Sequence, residues 1–241
     1  MKKQLFCRRF LAFLLFLSVL LAILFGIAEK TRTKTDLGVV NKTPSSPSTT
    51  IILDAGHGGE DGGASSADGL LEKDLNLALV LTMRDILTAN GIEVILTRDT
   101  DTLLYDRNVN FEGRKKKLDA EARLKIAQET ENAVFVSIHM NTYPLPTCQG
   151  VQVWYSANNE ASKEVATSVR NVTQELFQPE NDREIKKSGS NIYILRHIEC
   201  PAILIECGFL SSPEEAALLA DASYRQRLAL VLCMGILRGI K

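Results

Sequence analysis

The feature that most constrains this chain is a strand–helix–strand succession between residues 51 and 96. Ile51, Ile52 and Leu53 form a short apolar run that ends at Asp54 and a glycine-rich turn, AGHGGEDGG. Leu75, Leu79, Met83, Ile86 and Leu87 then recur at helical spacing, and Asn90-Gly91 supplies a left-handed helix stop. A second apolar run, residues 92–96, follows at once. Two neighbouring strands joined by a helical crossover run parallel, since the helix returns the chain to the end where it started. The chain is therefore committed to an α/β architecture, with helices covering a sheet.

The remaining sequence extends this pattern. A helix is expected over about 119–129, a strand over 133–138 leading to His139, and a strand over 152–155. A helix over 160–176, short strands over 192–195 and 202–205, and an apolar-striped helix over 224–237 complete it. The sum predicts one α/β domain over residues 51–241, its twisted, largely parallel or mixed sheet flanked by helices. That length is about one domain's worth. With 45% hydrophobic and 24% charged residues the chain can build one core, and a formal charge of -1 creates no strong field. Nucleic acid is therefore not an expected partner.

The N-terminus is separate in character. Lys2, Lys3, Arg8 and Arg9 precede residues 10–28, rich in Leu and Phe and without a charge, which predicts a hydrophobic helix. Residues 1–28 read as a signal peptide or a signal anchor. The apolar stretch lies between the ~7–15 residues of a cleaved signal core and the ~17–25 of a spanning helix. Either outcome exports the domain across the cytoplasmic membrane, leaving it anchored by this segment or secreted. Residues 29–50, with Ser, Thr and Pro but no apolar period, read as a flexible linker. Cys148, Cys200, Cys207 and Cys233 show no C-x-x-C spacing. They read as buried free thiols rather than a disulfide framework, because a domain of this size holds a core unaided.

Of the three histidines, two close apolar strands: His57 follows residues 51–53 and His139 follows residues 133–138. Chemistry in an open α/β sheet gathers beyond the carboxyl ends of the strands, so the two imidazoles can meet in space. Glu72, in GLLEKDLN just ahead of the first helix, offers a third ligand. Two imidazoles and a carboxylate make a hydrolytic zinc set with a fourth position left for water, whereas structural zinc sites are closed. A hydrolytic site also needs a proton shuttle. Glu206, directly after the apolar residues 202–205 in PAILIECGFL, fits that role, and its other reading is a salt bridge to an arginine such as Arg123. His57 taken alone is also compatible with a plain strand-end turn, although Gly56, Gly58 and Gly59 permit close approach to the backbone.

Other motifs carry less. His197, in LRHIECP, reads as structural or substrate-facing. A cysteine hydrolase using Cys207 and His197 is a rival, weakened because Cys207 follows a strand carboxylate and should point to the opposite face. Arg114 to Lys117 form a basic run inside a loop expected over 98–118; it reads as solvated charge, with attraction to an anionic polymer as the alternative. GHGGEDGG lacks the lysine and the spacing of a phosphate loop.

Taken in order, ILDAGHGGEDGGA, GLLEKDLNLAL, GIEVILTRDTDT, FVSIHMN, GVQVWY and PAILIECGFLSSPEEAALL resemble the zinc-dependent N-acetylmuramoyl-L-alanine amidases of the amidase-3 family. The likeness spans residues 51–241. It implies His57, Glu72 and His139 as ligands of one zinc ion per chain and Glu206 as the catalytic carboxylate. It implies peptidoglycan as substrate, cleaved at the amide between the lactyl group of N-acetylmuramic acid and L-alanine of the stem peptide. Ala55, Gln128 and Ser212 stand where the family usually has proline, asparagine and asparagine, and none of these removes a ligand. The basic run, the short chain and the lack of wall-binding repeats make it similar to the sporulation and germination type, which acts on spore cortex. The alternatives are a zinc carboxypeptidase acting on stem peptides and a catalytically silent peptidoglycan-binding protein. Whether an activating partner protein is needed stays open.

Overall fold

Residues 50–55 alternate between two apolar environments, so the strand they form, β1 (Thr50–Ala55), is buried along its whole length. In the computed structural model, residues 49–108 and 112–240 are described. The apolar segment 10–28 and nearly all of the expected linker lie outside them, and Thr50 belongs to β1 rather than to the linker. β1 is parallel to β2 (Glu93–Leu96) on one side and to β3 (Ala133–Asn141) on the other. β6 (Ala202–Phe209) runs parallel to β3, while β4 (Gln152–Tyr155) pairs antiparallel to β6 and carries the two-residue β5 (Lys186–Lys187) at its outer edge. Among the described residues the sheet order is β2-β1-β3-β6-β4-β5, a mixed sheet of six strands.

The two-residue period of the strands sorts side chains onto two faces. On one, Ile51, Leu53, Val134, Val136, Ile203 and Ile205 pack against α1 (Glu72–Ala89), α3 (Ala161–Leu176) and α6 (Ala222–Gly239). On the other, Ile52, Phe135 and Leu204 meet α2 (Lys115–Gln128) and α4 (Tyr193–His197). Continuing that second face toward the carboxyl ends, the same period turns polar: Asp54 follows Ile52, Ser137 and His139 follow Phe135, and Glu206 follows Leu204. The core thus runs into a polar end, and that end is where the histidines meet. No helix among the described residues is long and apolar enough to cross a membrane.

Several local expectations are corrected. Residues 192–195 form no strand; Ile192 is the extended residue before α4, and Arg196 donates from its backbone to the Ile192 carbonyl. Leu195 and Ile198 are buried, which one helical turn achieves as well as a strand does. The loop expected to reach 118 ends at Arg114, so the basic run becomes the first turn of α2. α5 (Pro213–Ala220) was not anticipated, although Ser212 caps it by accepting from the Glu215 amide and Pro213 opens it. Cys207 and Cys233 are buried as expected, but Cys148 and Cys200 are only partly so, and all four are free.

Candidate metal centre

His57 lies just past the end of β1 at a φ of 62°, a left-handed conformation, with its ring centre 5.0 Å from that of His139. Its Nε2 lies 3.2 Å from Oε1 of Glu72, the first residue of α1. His139, inside β3, brings Nδ1 to 2.9 Å from the same oxygen. The three ligand atoms all lie within 4.8 Å of one another, a group able to hold a metal ion. A helix start favours a carboxylate, and the amides of Ala64 and Met140 donate to Glu72 at 2.7 and 3.0 Å. Burial alone would raise the Glu72 carboxyl, but its bonds to His139 and His57 outweigh this and hold it well below the usual carboxylate range. Burial would likewise lower the His57 imidazole, yet Glu72 and Asp61 together raise it. Two rings closing on one buried anion form a donor set suited to a dication.

Two glycines make that approach possible. A Cβ on Gly56 would fall 2.3 Å from His139 ring atoms, and one on Gly63 would fall 2.5 Å from Glu72 Oε2 and 2.8 Å from His57. Gly56→Ala must therefore push His139 off the cluster. Its expected result is a folded protein with zinc affinity at least ~10-fold weaker, read by chelator competition.

Glu206 lies opposite His139 in the β3–β6 register. β6 continues to Phe209, so this carboxylate projects from within the strand rather than from its end. Its Oε2 is buried without a hydrogen-bond partner, an arrangement that costs free energy unless the group meets a partner in function. Burial pushes its pKa up to about 6, with Glu72 adding to the rise and the two histidines opposing it. The salt bridge to Arg123 does not form. Arg123 is instead paired with Asp54 and Asp119 and donates to the carbonyls of Ala55 and His57, both at 2.7 Å.

Cys207 and His197 do not form a dyad. Cys207 is buried in the core on the face opposite Glu206, and burial pushes its thiol well above the ordinary range. His197 bonds the Tyr193 carbonyl at 2.8 Å and rests on the Tyr193 ring, a structural role. The basic run is held by local acids: Lys115 meets Glu60 at 2.8 Å, Lys116 meets Asp61 at 3.0 Å and Lys117 meets Glu121 at 3.7 Å. These contacts favour solvated surface charge over a free attractor.

Sequence reasoning missed two groups that support the cluster. Asp61 bonds His57 Nδ1 at 2.9 Å, and its spacing four residues after a turn histidine was the available signal. Arg98 donates to the carbonyls of Ala55, Gly56 and Lys73 and so, with Arg123, pins the backbone that carries His57.

The sequence profile described as N-acetylmuramoyl-L-alanine amidase matches residues 51–238. The chain belongs to this amidase family. Among curated relatives it is 36% identical over 188 residues to the germination-specific N-acetylmuramoyl-L-alanine amidase of Bacillus subtilis, covering 78% of each chain. It is similar to the solved CwlD amidase of Clostridioides difficile in complex with the GerS lipoprotein, at 36% identity and a TM-score of 0.75. That match covers 79% of this chain and 98% of the solved one. AmiC2 of Nostoc punctiforme gives 31% identity and a TM-score of 0.66, over 79% of this chain and 96% of the other. The amidase is thus a peptidoglycan hydrolase, acting on the bond between an N-acetylmuramoyl group and L-alanine, on the fold its motifs implied.

Proposed function

We propose that this amidase works with one zinc ion per chain, held by His57, Glu72 and His139, with Glu206 as the proton-transfer group. The observation that carries the reading is the convergence of three ligand atoms within 4.8 Å, with a buried, unpartnered carboxylate one strand away in register. Zinc bound there would supply Lewis acidity, polarising the scissile lactyl carbonyl and acidifying a water near it. Glu206, with a pKa of about 6, is largely ionised at neutral pH and able to take a proton from the attacking water. Protonated, it returns that proton to the departing amine of L-alanine. Arg98 and Arg123 hold the turn that carries His57, and Gly56 and Gly63 leave room for the rings to close.

The chain acts outside the cytoplasmic membrane, where peptidoglycan lies; the basic flank and uncharged residues 10–28 support export by a signal peptide or anchor. The likeness to a germination-specific relative supports work on spore-cortex peptidoglycan, and the likeness to an amidase solved with a lipoprotein supports a partner protein.

Purified full-length protein, loaded with zinc and incubated with peptidoglycan, should release stem peptides with a free L-alanine amine, read by mass spectrometry. Elemental analysis should give one zinc per chain, and a chelator should stop the reaction. Stem peptides shortened from their carboxyl ends, with the muramoyl link intact, would establish the carboxypeptidase alternative instead.

A further inference from the structure

We infer that Asp61 is a positioning residue for His57, fixing the tautomer and ring orientation that let Nε2 serve as a ligand; this rests on the zinc reading above. A neutral imidazole carries one ring proton, and only the nitrogen without it can ligate a cation. An ionised carboxylate accepts hydrogen bonds and donates none. With Asp61 Oδ2 2.9 Å from Nδ1, Asp61 holds the Nδ1 proton, so Nε2, 3.2 Å from Glu72 Oε1, is the nitrogen that gives up its proton to take a cation.

Asp61 is itself held from several sides. Its backbone and that of Gly58 bond each other reciprocally at 3.0 Å, closing the turn that follows His57. The Gly63 amide donates to Asp61 Oδ1 at 3.3 Å, and Lys116 Nζ lies 3.0 Å from that same oxygen. The side chain is only 13% exposed. The carboxylate therefore arrives at the ring from a braced turn, as expected of a group that orients a metal ligand. Such partners typically change metal affinity by about 10–100-fold when removed.

The same loop also has a brace that does not touch the ring: Asp101 accepts from the Gly59 amide at 2.7 Å and pairs with Lys73 at 2.6 Å. This separates loop rigidity from imidazole orientation. Zinc affinity would be measured by chelator competition on full-length wild type, Asp61→Ala, Asp61→Asn and Asp101→Ala. Nitrogen-15 NMR of the zinc-free proteins, at a pH high enough that the raised His57 imidazole is neutral, would read its tautomer. Asp61→Ala should bind zinc about 10–100-fold more weakly and lose the Nδ1–H signature. Asp61→Asn, whose amide oxygen still accepts from Nδ1, should recover part of both, and it keeps the test valid if the alanine variant fails to fold. Asp101→Ala should stay within about fivefold of wild type, as expected for an exposed ion pair. Equal losses in Asp61→Ala and Asp101→Ala, or an Asp61→Ala affinity within about twofold of wild type with the tautomer unchanged, would overturn the proposal. Wild-type protein that binds no zinc would instead sink the metal reading, leaving the tautomer measurement to judge Asp61 on its own.

Discussion

Glu206→Gln is expected to retain zinc and lose turnover by about 10²–10⁴-fold, the usual contribution of a positioned acid–base group. The substitution keeps size and polarity but removes the ability to exchange a proton. It touches none of the three clustered ligand atoms. Zinc content and thermal stability should therefore stay near wild type while kcat on a defined muropeptide collapses. Near-normal cleavage by this variant would remove Glu206 from the mechanism. The wild-type pH profile supplies an independent check. Burial raises the Glu206 pKa from its ordinary value to about 6. As a base it must be ionised, and a zinc ion bound beside it would lower this value, so kcat should fall along an acid limb at or below about pH 6, approaching a tenfold loss per pH unit. The residual rate of Glu206→Gln should lack that limb.

The residues that carry this chemistry were legible because strand periodicity is a short-range code. Ile52 to Asp54, Phe135 to His139 and Leu204 to Glu206 each step by two along one face, so an apolar run ending in a polar residue announces a polar end to the core. Parallel pairing then brings those ends together, which is why the sequence alone pairs His57 with His139. What was not legible has a different physical origin. Residues 192–195 are too short a run for a period to distinguish strand from helix; Ile192 stays extended and Tyr193 to Leu195 enter a single helical turn packed in the same cluster as α2. Arg123 reaches the His57 carbonyl across 66 positions in sequence, and Asp54 meets it across 69. Such partners are chosen by the finished sheet, not by the neighbours of either residue. Asp61 is the intermediate case, local to His57 but hidden in a turn whose glycines gave no period to read.

That long-range network sets the second large effect: Arg123→Met is expected to destabilise the protein by about 3–5 kcal/mol in urea unfolding, the cost of breaking a buried ion pair by removing one partner. Arg123 and Asp54 are both almost fully buried, and Asp119, on the same guanidinium, is buried as well. The substitution leaves two carboxylates with no cation between them. In the wild type, burial would raise the Asp54 pKa, but Arg123, Ser137 and Thr97 outweigh it and lower it. A lowered carboxylate pKa contributes stability above the unfolded value, about 3.9, and that contribution is lost as the pH falls through the folded value. Wild-type stability should therefore decline below about pH 4. In Arg123→Met, burial acts on Asp54 without its main opponent, so neutralising the carboxylate relieves the defect. The difference between variant and wild type should shrink on acidification, whereas a cavity or packing defect would give a pH-independent gap. Because Arg123 also holds the Ala55 and His57 carbonyls, the folded fraction of the variant should bind zinc more weakly than wild type. A variant that loses stability yet keeps wild-type zinc affinity would show that the network supports the sheet and not the metal centre.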